Sequence, residues 1–191
     1  MTGRELRADA RRKREQIIDA ARALIAERGA AVRMDDVARA AGVGSGTLYR
    51  RFPDREELIR GVALDSFARV VERARTAEDE EPDAWRGLTR FLREAAADLR
   101  LASWMSIWFA ETWARLRVDE DNQRMRASLL KILDRLVRGA QHDGALRADI
   151  TVEDLTMMLA LLLRPIPDLP TPLTPQDVER YLGFMIDGLR A

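Results

Sequence analysis

Residues 34–58 read MDDVARAAGVGSGTLYRRFPDREEL. Met34, Val37, Ala38 and Ala41 fall at i, i+3, i+4 and i+7, the spacing of one buried helical face. Asp35 and Asp36 occupy the first turn of that helix, where negative charge complements the dipole. Gly42 ends it. A second short helix is predicted from about Ser45 to Phe52. Leu48 and Phe52 are four apart and share one face, and Pro53 disfavours helix at the residue before it. Two short helices joined by a tight glycine turn form a helix-turn-helix, and this decides an all-α fold.

The second of these helices has little to bury. Leu48 and Phe52, with Val43, can pack on Val37, Ala38 and Ala41. Ser45, Gly46, Thr47, Tyr49, Arg50 and Arg51 are then left facing outward or flanking. Such a face suits a DNA major groove. Arginine pairs bidentately with guanine, and small hydroxyls or a tyrosine reach phosphates and base edges. Gly46 near the helix start would allow close backbone approach.

Working outward, Ile17, Ile18, Ala21, Leu24 and Ile25 mark an amphipathic helix over roughly 9–28. The arginine-rich start before it reads either as a flexible arm or as a solvated helix end. A longer helix is expected from about Asp54 to Arg75, followed by TAEDEEPD (76–83) as a solvated joint. Further helices are expected at about 83–100, 101–117, 122–141, 152–163 and 175–189. RPIPDLPTPLTPQ (164–176) holds five of the seven prolines and is expected to be an irregular or extended loop. No strand pattern and no internal repeat is apparent.

The 191 residues include no cysteine, and no apolar run reaches the roughly 18 residues of a membrane span. The polar N-terminus has no signal-peptide core, so a soluble, cytoplasmic protein is expected, with no membrane association. The formal net charge is zero, yet basic residues outnumber acidic ones in the first 60 positions and the reverse holds afterwards. Only the front is therefore expected to meet a polyanion. His142 is the sole histidine, which disfavours a transition-metal site and leaves no Ser-His-Asp arrangement. No catalysis, metal or cofactor is expected.

The second-helix pattern MDDVARAAGV followed by GTLYRRFPDREEL resembles the TetR family of bacterial transcriptional regulators. The close likeness covers roughly residues 10–60. It implies a three-helix DNA-binding domain over 1–53 with a linking fourth helix from about 54. It also implies a helical effector-binding and dimerisation domain over 54–191. By position, Thr47 and Tyr49 would touch the DNA backbone or bases, Arg50 would read a base, and Arg55 would meet a phosphate. Arg33 stands where the family often has a capping Ser or Thr, and Gly44 where it often has Ser. Arg33 is therefore assigned to a phosphate rather than a cap, Ser45 takes over part of the missing role, and Arg51 is assigned to phosphate.

LASWMSIWFAETWARL (101–116) is apolar on nearly every side and is expected to be one central helix. Trp104, Met105, Trp108, Phe109 and Trp113, completed by Met158, either line a pocket for a small apolar effector or fill the core. Glu111 is expected to pair with Arg115 four residues on. Val178, Tyr181, Leu182, Met185 and Leu189 on the last helix form an apolar stripe. So do Leu155, Met158, Leu159 and Leu162 on the helix before. These stripes serve a two-fold homodimer or internal packing. The expected function is a ligand-responsive homodimeric repressor of a near-palindromic double-stranded operator. The alternatives are an activator of the same family and a helical small-molecule binder that has lost DNA binding.

Overall fold

A computed structural model describes residues 3–164 and 173–191. Among these the chain is all-helical apart from one isolated bridge pairing Leu146 with Arg190. The helices are α1 (Gly3–Arg28), α2 (Met34–Ala40), α3 (Ser45–Arg51), α4 (Arg55–Glu80), α5 (Ala84–Trp108), α6 (Ala110–Val118), α7 (Glu120–His142), α8 (Val152–Leu162) and α9 (Pro175–Gly188). A 3-10 turn at Gly29–Ala31 follows α1. The proline-rich loop expected at 164–176 lies mostly outside the described residues.

The chain forms two compact units. The first runs to Asp65 and takes in Met105–Arg117; the second comprises Ser66–Trp104 and Val118–Ala191. The first unit thus includes the start of α4 beyond residue 53 and takes in a segment from the middle of the chain. In this unit α2 packs on α1 and α3. Its core includes Ile17, Ile18, Ile25, Val37, Leu48 and Leu58, all at most 2 % exposed. The second unit is built around Val70, Phe91, Leu92, Leu133, Leu155 and Leu182.

Three predicted boundaries move. α1 begins at Gly3, so the arginine-rich start is a helix end rather than an arm. α4 continues to Glu80, and the joint shrinks to 81–83. Acidic residues oppose the dipole at a helix C-terminus. Here Arg135 offsets them, donating from Nε and Nη2 to Glu78 at 2.7 and 2.6 Å, and Arg90 lies 3.0 Å from Glu80. α5 runs without a break through residue 101 to Trp108, because neither glycine nor proline occurs between Leu88 and Trp108. The aromatic segment is therefore divided at Phe109 between α5 and α6. The break is a bend, since Phe109 N still donates to Met105 O and Trp113 N to Phe109 O, each at 2.9 Å.

Within the second unit Asp98 is wholly buried on α5 and accepts from Arg73 Nε on α4 at 2.9 Å. α8 and α9 open on capping boxes, Thr151 with Asp154 and Thr174 with Asp177. Hydrogen bonds at Thr151 and Thr174 hold both carboxyls below the usual carboxylate range. The stripes expected to serve a dimer or internal packing are for the most part turned inward. Leu155, Leu159, Val178, Leu182 and Leu189 belong to the core, because the remainder of the unit covers that face. Tyr181 of the predicted stripe stays 39 % exposed, and Met157, Leu161 and Phe184 beside the stripes are exposed as well.

Candidate nucleic-acid interface

The turn between α2 and α3 sets the geometry. Gly42 adopts φ +64°, a left-handed conformation that costs glycine nothing. This lets Val43 N reach Ala38 O at 3.0 Å and Gly42 N reach Arg39 O at 3.2 Å. These two bonds form a Schellman closure that satisfies the last carbonyls of α2 and turns the chain into α3.

α3 then divides as its spacing requires. Leu48 is 0 % and Phe52 3 % exposed, and together they anchor the helix. On the other faces Ser45, Gly46, Arg50 and Arg51 are exposed, Tyr49 is 45 % exposed and Thr47 is half-buried. Arg50 Nη2 donates to Thr47 Oγ1 at 3.1 Å, which lays the guanidinium along the helix and leaves its other donors unused by that contact. A Cβ added at Gly46 or Gly44 would meet no atom within 4 Å. The fold therefore does not need glycine at Gly46, so the space beside it is open to an outside partner.

Neither short helix has a side-chain cap. Arg33, exposed, is the N-cap of α2 and makes no side-chain cap hydrogen bond, and Gly44, the N-cap of α3, has no side chain to make one. Ser45 is the first residue of α3 and does not replace the cap. Arg55 opens α4 but is not loose: its Nη2 donates to the Ala30 carbonyl, and its guanidinium lies 5.0 Å from the Phe109 ring centroid. Arg115 pairs with Glu56 rather than with Glu111, because α6 lies against the start of α4 within this unit.

Within the arginine-rich start, one residue lies beside α3. Arg14 on α1 is exposed and stands over the Phe52 ring, 5.5 Å from its centroid, at the C-terminal end of α3. Its signal was the run Arg11–Arg14, which looked like one undivided basic patch. Its neighbours differ from it, since Lys13 lies 2.7 Å and Arg12 3.6 Å from Asp9.

The predicted effector residues are divided between the two units. Met105, Trp108, Phe109 and Trp113 lie in the first unit, Trp104 and Met158 in the second. Met105 is fully buried, Phe109 is 8 % exposed, and the others are half-buried. The Trp108 indole rests on Gly29, where an added Cβ would sit 2.9 Å from a ring carbon. Gly29 also has φ +59°, so two constraints select glycine there. In the second unit an open cleft of about 750 Å3 is lined by Lys131, Asp134, Arg135, Gln141, Ile150 and Thr151 among others, and by none of the predicted aromatics. Among the described residues no group of three His, Cys, Asp or Glu side chains could hold a metal ion, and no helix is long and apolar enough to cross a membrane.

Residues 17–62 match the model of bacterial regulatory proteins of the tetR family, and residues 82–191 that of the C-terminal domain of SbtR-like transcriptional regulators. The chain is 34 % identical over 91 residues to the HTH-type transcriptional regulator AlkX of Mycobacterium tuberculosis, a match covering 44 % of this chain and 43 % of that protein. It is 28 % identical over 158 residues to the HTH-type transcriptional repressor AcnR of Corynebacterium efficiens, covering 78 % and 77 %. The crystal structure of a TetR transcription regulatory protein from Mycobacterium vanbaalenii superposes with a TM-score of 0.67 at 30 % identity, covering 97 % of this chain and 99 % of that one.

Proposed function

The chain belongs to the TetR family of bacterial transcriptional regulators, and on that premise we propose that it is a homodimeric repressor, released from a near-palindromic operator by a small, largely apolar effector. The observation that carries the DNA-binding part is the division of α3: Leu48 and Phe52 are buried while Tyr49, Arg50 and Arg51 stand exposed. We assign base reading to Arg50. Ser45, Thr47, Tyr49 and Arg51 take backbone or base edges beside it, Gly46 allows close approach, and Arg33 and Arg55 meet phosphates. Repression is favoured over activation by the relative AcnR, itself a repressor.

One short helix reads too few base pairs for useful discrimination, so two copies on a two-fold site are required. Met157 and Leu161 on α8, with Tyr181 and Phe184 on α9, supply exposed apolar surface for that association. The effector is assigned to the second unit, where Trp104 and Met158 are half-buried. α4 contributes residues to both units, so a shift along it would change the spacing of the two α3 helices. Such coupling is reciprocal: operator DNA must weaken effector binding by the factor by which effector weakens operator binding.

Anisotropy titration against fragments selected from the source genome tests the assignment. Arg50→Ala is expected to weaken binding by about 10- to 100-fold, the value of a bidentate base contact. Tyr49→Phe is expected to cost about 5-fold through one lost hydrogen bond. Wild-type affinity in both variants would sink it.

A further inference from the structure

We propose that Phe109 is a positioning residue for DNA binding: its ring holds the Arg55 guanidinium where that group meets a backbone phosphate. The proposal rests on the regulator reading above. Helix stability gives no reason for Arg55, since a cation in the first turn opposes the dipole and the neighbouring Asp54, Glu56 and Glu57 suit that end better. The side chain is nonetheless anchored twice, by the Ala30 carbonyl and by the Phe109 ring at 5.0 Å. It remains exposed, so the donors not given to Ala30 stay open to solvent. A guanidinium tethered through one donor and one face keeps its other donors in a fixed plane. A phosphate contact then costs less side-chain freedom than it would from a mobile arginine.

The ring is itself fixed. Phe109 is 8 % exposed at the α5–α6 bend. On one side Trp108 rests on Gly29, next to Ala30, and further along α6 Arg115 pairs with Glu56, next to Arg55. Both anchors of Arg55 thus belong to one packed cluster. Phe109 acts on DNA through Arg55 and without touching DNA.

The test is an anisotropy titration of the full chain against a duplex that the wild type selects from a randomised library, between about 50 and 200 mM salt. Arg55→Ala and Phe109→Leu are each expected to weaken binding about three- to ten-fold. Each should also flatten the logarithmic salt slope by about one ion per chain. Phe109→Tyr keeps the aromatic face and should retain wild-type values. Added to Arg55→Ala, Phe109→Leu should weaken binding no further. A wild-type slope in Phe109→Leu overturns the proposal, and so does a full additional loss in the double variant. If Phe109→Leu does not fold, cyclohexylalanine at position 109 keeps the volume without the π face, and the same slope decides. A wild type without salt-dependent DNA affinity overturns the regulator reading along with this one.

Discussion

α2 and α3 begin differently from most of the chain's other helices. Their N-caps, Arg33 and Gly44, accept no hydrogen bond through a side chain. Asp54 accepts from Glu57 N at the start of α4, and Asp83 from Arg86 N at the start of α5, both at 2.8 Å. Asp119, Thr151 and Thr174 do the same for α7, α8 and α9. These five helices satisfy part of their own first turns. The two that form the candidate reading surface forgo about 1 kcal/mol at Arg33 and a few tenths of that at Gly44, and they depend on packing for their stability.

The strongest way to break this contrast is to remove that packing. Leu48→Ala takes a fully buried side chain from a seven-residue helix and is expected to cost about 2–5 kcal/mol. Denaturant unfolding measures this, with DNA binding lost in parallel. A second unit as marginal as α3 would respond comparably to cap loss alone, which is the next comparison. Thr151→Ala and Thr174→Ala should each lower Tm by about 2–4 °C and leave DNA affinity unchanged. These caps also carry an acid signature. Asp154 and Asp177 titrate below the usual carboxylate range when folded, so the unfolded chain binds protons first. Their contribution is present at neutral pH and fades as pH falls below about 4, and the double Thr→Ala variant should show a shallower acid slope in that window. A gain of comparable size sharpens the contrast from the other side. Arg33→Thr supplies the missing cap and should raise Tm by about 2–4 °C. It should also flatten the salt dependence of DNA binding by about one ion per chain. A gain in Tm with an unchanged salt slope would show that Arg33 meets no phosphate.

The helix-turn-helix was legible because its boundaries are local. Gly42 and Pro53 punctuate it, and the Leu48–Phe52 pair fixes its buried face. α4 was harder because what sustains its last turn comes from far along the chain: Arg135 is 57 residues from Glu78. The bend at Phe109 was hidden for the same reason, since no glycine or proline marks it. Trp108 packs on Gly29 and Phe109 on Arg55, which the local pattern cannot display. Arg115 illustrates the point. A favourable partner stood four residues away at Glu111, yet the fold offers Glu56. The apolar stripes of α8 and α9 were read correctly as stripes. Which face meets the chain's own core and which faces outward depends on helices that the spacing alone does not position.

The contact of Trp108 with Gly29 has an optical consequence. An indole stacked against a backbone in the first unit emits according to how closely that turn holds it. Replacing Trp85, Trp104 and Trp113 by phenylalanine leaves Trp108 as the sole strong fluorophore among the four tryptophans. The shift and anisotropy of its emission would then follow the end of α1 during a titration, with no external dye.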